Sequence, residues 1–86
     1  MPEDNEDLHV KVSTPTKVLF EGVAESVSSE NTQGNFDILP YHADFVTLIQ
    51  RKAIVIRTEG REKQFSFKNA VIHVTKNKLR IYGDVE

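Results

Sequence analysis

Histidine is the side chain best able to bind a metal or move a proton near neutral pH, and this sequence carries three, His9, His42 and His73. A metal centre groups its ligands at set spacings. Here the three histidines lie far apart, none has a pair of further ligands nearby in sequence, and no cysteine supplies a thiolate. His9 and His73 fall at positions read below as strand, so their expected role is structural, and neither a metal nor a cofactor is expected. His42 differs, because Asp37 and Asp44 stand near it and could form an acid–base set with it. Such a set also needs an orienting partner for the imidazole, a nucleophile or metal, and a pocket. The serines and threonines fall in turns and on polar strand faces, with no nucleophile-elbow pattern. No catalytic residue is therefore assigned, and Asp44 is read as capping its corner or facing solvent. Gly22, Gly34, Gly60 and Gly83 are isolated turn or strand-end residues, so no glycine-rich phosphate loop exists. The small basic clusters, Arg51-Lys52 and Lys76, Lys78 and Arg80, read as solvated strand faces or blunted sheet edges.

The elements around His42 explain what it is for. Gly34-Asn35-Phe36-Asp37-Ile38-Leu39-Pro40-Tyr41-His42-Ala43-Asp44-Phe45-Val46 opens on a turn glycine and runs into an apolar segment of strand character. Pro40 has no N–H to give a strand ladder, so the chain must turn or reach a sheet edge there. Tyr41, His42 and Asp44 then form a polar corner before Phe45-Val46 resumes the apolar pattern. A histidine and an aromatic held outward on rigid flanks suit contact with a partner better than catalysis. His42 fits two roles equally, tuning an interface by protonation near neutral pH or hydrogen-bonding within the corner.

The rest of the chain repeats the strand style. Met1–Asp7 holds Glu3, Asp4, Glu6 and Asp7 with almost nothing to bury, and is expected to be a disordered acidic lead. From Leu8 the period is two: Leu8, Val10 and Val12 alternate with His9, Lys11 and Ser13. Ser13-Thr14-Pro15-Thr16 is a turn, and Lys17–Glu21 a second strand ended at Gly22. Val23, Glu25 and Val27 suggest a third strand with Ser26 and Ser28 on its other face. Glu30–Gly34 is a polar loop long enough to protrude. For residues 42–51, Phe45, Leu48 and Ile49 have helical spacing, but β-branched Val46, Thr47 and Ile49 favour a strand. Ala53–Arg57 is a β-branched strand, Thr58-Glu59-Gly60-Arg61 a hairpin turn, and Gln64–Phe67 alternates. Ala70–Val74 and Lys78–Tyr82 pair across Lys76-Asn77. Phe20, Phe36, Phe45, Phe65 and Phe67 have strand spacing and a default role in the core, with Phe45 partly exposed beside the corner.

Turn signals at short, regular intervals predict an all-β fold, a flattened sandwich or barrel of two mostly antiparallel sheets with about 8–10 short strands. The 86 residues make one small domain, from residue 8 to residue 86. A chain of this size buries only about 60% of its unfolded surface. Eleven basic and 13 acidic residues, mixed along the chain, give a net charge of −2. That balance lacks the basic stripe that nucleic acid requires. No apolar run approaches the roughly 20 residues of a membrane span, so the expected location is soluble and cytoplasmic. From these residues alone the chain reads as an interaction module, and one such module captures an extended peptide by strand addition.

From Leu8 to about Gly83 the sequence resembles the N-terminal β-sandwich domain of the ε subunit of F-type ATP synthases. Leu8-His9-Val10-Lys11-Val12-Ser13-Thr14-Pro15 is similar to the family's opening strand and turn. Val18-Leu19-Phe20-Glu21-Gly22-Val23-Ala24-Glu25-Ser26-Val27 is similar to its second strand. The sharpest match is Gly34–Ala43, where the family shows a glycine, an apolar run ending in proline, one residue, then histidine-alanine. The Leu-Pro-x-His-x-Asp-Phe-Val wording is especially similar to the alternate, sodium-type branch.

The resemblance implies a non-catalytic central-stalk subunit of a proton- or sodium-driven synthase, coupling ion flow to ATP synthesis. It would bind the γ subunit and the loops of the c ring, peripheral to the cytoplasmic face of the cell membrane through the complex. His42 then carries over as a γ contact, with Tyr41 beside it, and Thr47 and Thr14 match positions near that subunit. The polar loop before the central strand, with Glu30, Asn31, Gln33 and Asn35, carries over as the c-ring contact. Many relatives have glutamate where this chain has Asn35, so Glu30 would have to supply an acidic contact there. Many also continue into a C-terminal helix pair that inhibits hydrolysis and in some binds ATP; this chain stops at Glu86 and is expected to have neither property. Arg51-Lys52 stands where relatives have a Pro-Gly turn, Lys68-Asn69 where they have Gly-Gly, and Tyr41 where glycine is common.

Overall fold

Alternating apolar and polar residues put every second side chain on one face of a strand, and the chain uses that pattern from Leu8 to Gly83. The computed structural model describes residues 7–85, and of the acidic lead expected at residues 1–7 only Asp7 lies within them. Nine strands follow one another: β1 (Leu8–Ser13), β2 (Val18–Ala24), β3 (Ser26–Asn31), β4 (Gly34–Ile38), β5 (Phe45–Ile49), β6 (Ala53–Thr58), β7 (Arg61–Ser66), β8 (Ala70–Thr75) and β9 (Lys78–Gly83). They build a five-stranded sheet of order β2-β1-β9-β8-β5 and a four-stranded sheet of order β4-β3-β6-β7. Every pairing is antiparallel except β1 with β9, which join the two ends of the chain in parallel. The segment from 45 to 49 is strand, as its β-branched residues favoured, and pairs with β8.

Between the sheets lies a core of branched aliphatics. Leu8, Val10, Val12, Val27, Ile38, Ile49, Ile54, Ile56, Ile72, Val74, Leu79 and Ile81 are all buried. All five phenylalanines pack against it at the margins. Phe36 of β4 and Phe45 of β5 meet edge to face at 5.4 Å, linking one edge of the sandwich. Phe20 and Phe65 lie 6.4 Å apart at the other, with Phe67 parallel to Phe65 at 6.5 Å. A Cβ on Gly83 would stand 2.4 Å from the Phe67 ring, so this strand-end glycine is required by packing.

Three readings of the sequence need correction. β2 does not end at Gly22; that residue faces inward opposite Val10, and the strand runs to Ala24. Val23 and Glu25 are not part of β3, because the chain crosses between sheets at Glu25, whose N–H donates to the Arg57 carbonyl at 2.8 Å. Ser26 lies, as read, on the face away from the core, opposite Arg57, and is nonetheless buried there. The protruding loop at 30–34 is instead a two-residue hairpin turn, Thr32-Gln33, with Glu30 and Asn31 in β3 and Gly34 and Asn35 in β4. Gly34 closes that turn with φ of +118°, a backbone that other residues rarely adopt. The hairpins read at Thr58–Arg61 and at Lys76-Asn77 stand as expected, each with positive φ at both central residues.

Candidate partner interface

The corner after Pro40 is built by hydrogen bonds from the neighbouring turn. β4 stops at Ile38, and the His42 N–H returns to the Leu39 carbonyl at 3.1 Å. Tyr41 takes a left-handed backbone, φ 67°, and its N–H donates to Asn77 Oδ1 at 2.5 Å. Asn77 sits in the β8–β9 turn, and its own carbonyl accepts the His9 N–H at 2.8 Å. One asparagine therefore ties the corner to β1. The Tyr41 side chain is 68% exposed. His42 is half-buried: its Nδ1 donates to the Ala43 carbonyl at 2.7 Å, and its ring meets Phe45 edge-on at 5.4 Å. The bond within the corner, one of the two roles open to His42, is formed. Tyr41, His42, Asp44, Lys76 and Asn77 line an open hollow of about 370 Å³.

The acid–base set that the spacing of Asp37, His42 and Asp44 suggested has a different arrangement. Asp37 accepts a hydrogen bond from Ser28 Oγ at 2.5 Å, paired across β3 and β4, while Asp44 is exposed. Among the described residues, no group of three histidines and acids is placed to hold a metal ion.

The residues read as two separate contact sets are joined. Asn31 Nδ2 donates to Thr47 Oγ1 at 3.0 Å, linking β3 of one sheet to β5 of the other. The same amide's Oδ1 accepts the Gln33 N–H at 2.8 Å and shapes the hairpin turn. Glu30 pairs across the strands with Asn35 and lies 3.8 Å from Lys52, an exposed ion pair of small energetic weight. Thr14 stands apart from the corner. Its Oγ1 accepts the N–H groups of Thr16 and Lys17, each at 3.3 Å. That turn follows Ser13, which pairs with Tyr82, at the end of the sheet opposite Asn77. Arg57 and Glu62, with the guanidinium donating to Glu62 Oε2 at 2.6 Å, mark the outer face of the smaller sheet; that bond to the Glu62 carboxylate raises the guanidinium above its usual range.

Sequence reading missed the outer face of the five-stranded sheet. The register places Leu48, Val71, Tyr82, Ser13 and Val18 in one row across five strands. The next row holds Val46, His73, Arg80, Lys11 and Glu21, and the third Thr75, Lys78, His9 and Val23. Val46 is 64%, Leu48 49% and Tyr82 42% exposed. The outward face of the other sheet holds Asp37, Ser28, half-buried Val55 and Gln64 in one row, with Asn35, Arg57 and Glu62 in the rows beside it, a mostly polar set. A signal existed: Phe45-Val46-Thr47-Leu48-Ile49 and Ala70-Val71-Ile72 are apolar on both faces, as strands covered on both sides are.

A family model described as the ATP synthase, delta/epsilon chain, β-sandwich domain matches residues 7–85. The ATP synthase epsilon chain of Clostridium novyi is 33% identical over 76 residues, covering 87% of this chain and 58% of the relative. That of Brevibacillus brevis is 32% identical with the same coverage. The chain thus spans about three fifths of the length of these curated relatives. Among solved structures, a chain of the Euglena gracilis mitochondrial ATP synthase, in a structure of its OSCP, F1 and c-ring, superposes with a TM-score of 0.84. It does so at 13% identity, over 95% of this chain and 53% of that one. A chain of the central stalk and c-ring of the Tetrahymena thermophila enzyme gives 0.76, also at 13% identity, over 88% of this chain and 62% of that one.

Proposed function

The chain belongs to the ATP synthase delta/epsilon-chain β-sandwich family, and from that premise we propose that it is a non-catalytic subunit of an F-type rotor. It binds the γ subunit and the loops of the c ring, and so helps couple ion flow to ATP synthesis at the cytoplasmic face of the membrane. The observation that carries this reading is the Pro-Tyr-His corner. Its backbone is fixed by Asn77, its imidazole is bonded to Ala43, and Tyr41 is left exposed as an anchor. Rigid aromatic anchors of this kind dominate interface energies. Tyr41, His42 and Thr47 on this side, with Thr14 at the far end of the sheet, are the γ contacts in this reading. The hairpin carrying Glu30, Asn31, Gln33 and Asn35 meets the ring. Because Asn31 bonds to Thr47, the two contact sets share a strut, which suits a part that passes torque from one partner to the other.

Titration of the purified chain with its cognate γ subunit tests this. The wild type binds, and Tyr41→Ala weakens binding by about 2 kcal/mol, the usual loss at a buried aromatic anchor; His42→Ala weakens it less. A folded wild type with no affinity for γ would sink the rotor reading and favour peptide capture at the edge strands β2 or β7.

A further inference from the structure

We propose that the free edge of β5 pairs, antiparallel, with the same edge of a second copy of this chain, joining two five-stranded sheets into one of ten strands. Such self-pairing needs no γ subunit and stands apart from the rotor reading.

The sandwich has four edge strands, β2 and β5 of the larger sheet and β4 and β7 of the smaller. An edge presents a row of unpaired N–H and C=O groups that can template another chain, and proteins blunt such edges with charges, bulges or proline. Three of the four are blunted here. β7 opens on Arg61-Glu62-Lys63. β2 carries Glu21, and its register against β1 slips at Leu19, because Ser13 pairs with Val18 and Val12 with Phe20. β4 holds Asp37, with Pro40 two residues past its end. β5, Phe45-Val46-Thr47-Leu48-Ile49, has no charge, glycine, proline or bulge, and its register against β8 is unbroken from Phe45 to Ile49. Among the described residues no strand pairs with its other side.

This edge is complementary to itself. With a two-fold axis through Thr47, Val46 of each copy stands opposite Leu48 of the other, and Phe45 opposite Ile49. Val46 and Leu48 are large apolar side chains exposed in the single chain. Directly opposed side chains have Cβ atoms about 4.5–5.5 Å apart, so each Val46–Leu48 pair covers itself from water. Asp44, just before the strand, falls beside Gln50 and one residue from Arg51 of the second copy, all three exposed. The flanks therefore attract. Strand pairing adds about four to six backbone hydrogen bonds. Five residues a side bury less than the roughly 1,200 Å² of a stable specific interface, so the dimer is reversible, with a dissociation constant on the order of 100 μM.

The test is sedimentation equilibrium of the full chain from about 10 μM to about 1 mM, a range that brackets that constant. Wild type should pass from monomer to dimer. Val46→Lys should weaken dimerisation at least about tenfold. Adding Leu48→Glu to the same chain should restore it, because the register sets position 46 against position 48 of the second copy. Gln64→Lys, on edge strand β7, should change nothing. The sequence has no cysteine, so Thr47→Cys gives a second readout. Residues paired at this axis hold their Cα atoms about 4.5–5.5 Å apart, within disulfide reach, so mild oxidation should link two chains, whereas Gln64→Cys should not link. Circular dichroism and urea midpoints certify folding, and Leu48→Lys with Val46→Glu replaces the first pair if Val46→Lys unfolds. A wild type that stays monomeric, a dimer that folded Val46→Lys leaves intact, or a double variant no tighter than the single would each overturn the proposal.

Discussion

Tyr41 is a bulky residue in a backbone that favours glycine. A left-handed φ costs a residue with a Cβ roughly 1–2 kcal/mol, and the N–H bond to Asn77 holds it there. Tyr41→Gly should therefore raise stability by about 0.5 kcal/mol or more once the freer unfolded chain is counted, while lowering affinity for γ. Urea unfolding beside binding separates the two effects; a variant that loses both would mean that Tyr41 is simply structural. Gly83 lies at the other extreme. Its missing Cβ makes room for the Phe67 ring, so Gly83→Ala should cost about 1–3 kcal/mol by overpacking, read as a lower urea midpoint at unchanged slope. The need for glycine at Gly83 was invisible in sequence, because Phe67 lies sixteen residues away in the chain.

At the scale of elements, the hairpins were legible where turn chemistry is local. Glu59-Gly60 and Lys76-Asn77 take the paired positive φ angles that a two-residue connection needs. The β3–β4 turn was misjudged because Glu30-Asn31-Thr32-Gln33 is polar throughout, and polarity does not separate an outer strand end from a loop. What orders Asn31 is a bond to Thr47 from the other sheet, which no local pattern announces. A double-mutant cycle of Asn31→Ala and Thr47→Val should show a coupling of about 1 kcal/mol in stability. Additive losses would show the strut to be energetically idle. Likewise the strand through Gly22 was cut short because glycine reads as punctuation, whereas here β1 pairing carries the backbone straight through.

For the whole molecule, the sequence's last strand is the centre of the larger sheet. β9 pairs with β1 on one side and β8 on the other, so a chain cut before Lys78 should lack cooperative unfolding altogether. Folding must join the two ends of the chain, which predicts refolding in the ms–s range of non-local β proteins; a stopped-flow phase in the μs range would contradict it. The dimensions of 41 × 29 × 22 Å match the flattened sandwich expected. The sequence by itself determined the all-β class, nearly every strand and the buried set, because a period of two assigns faces without knowledge of neighbours. It also determined the family, through the ordered Gly, Pro and His of residues 34–42. Only the tertiary structure decided the strand order, the Asn31–Thr47 and Tyr41–Asn77 ties, and the apolar and cationic rows outside the five-stranded sheet. Those rows take one residue from each of up to five strands, and register between distant strands is set by packing, which a linear pattern does not record.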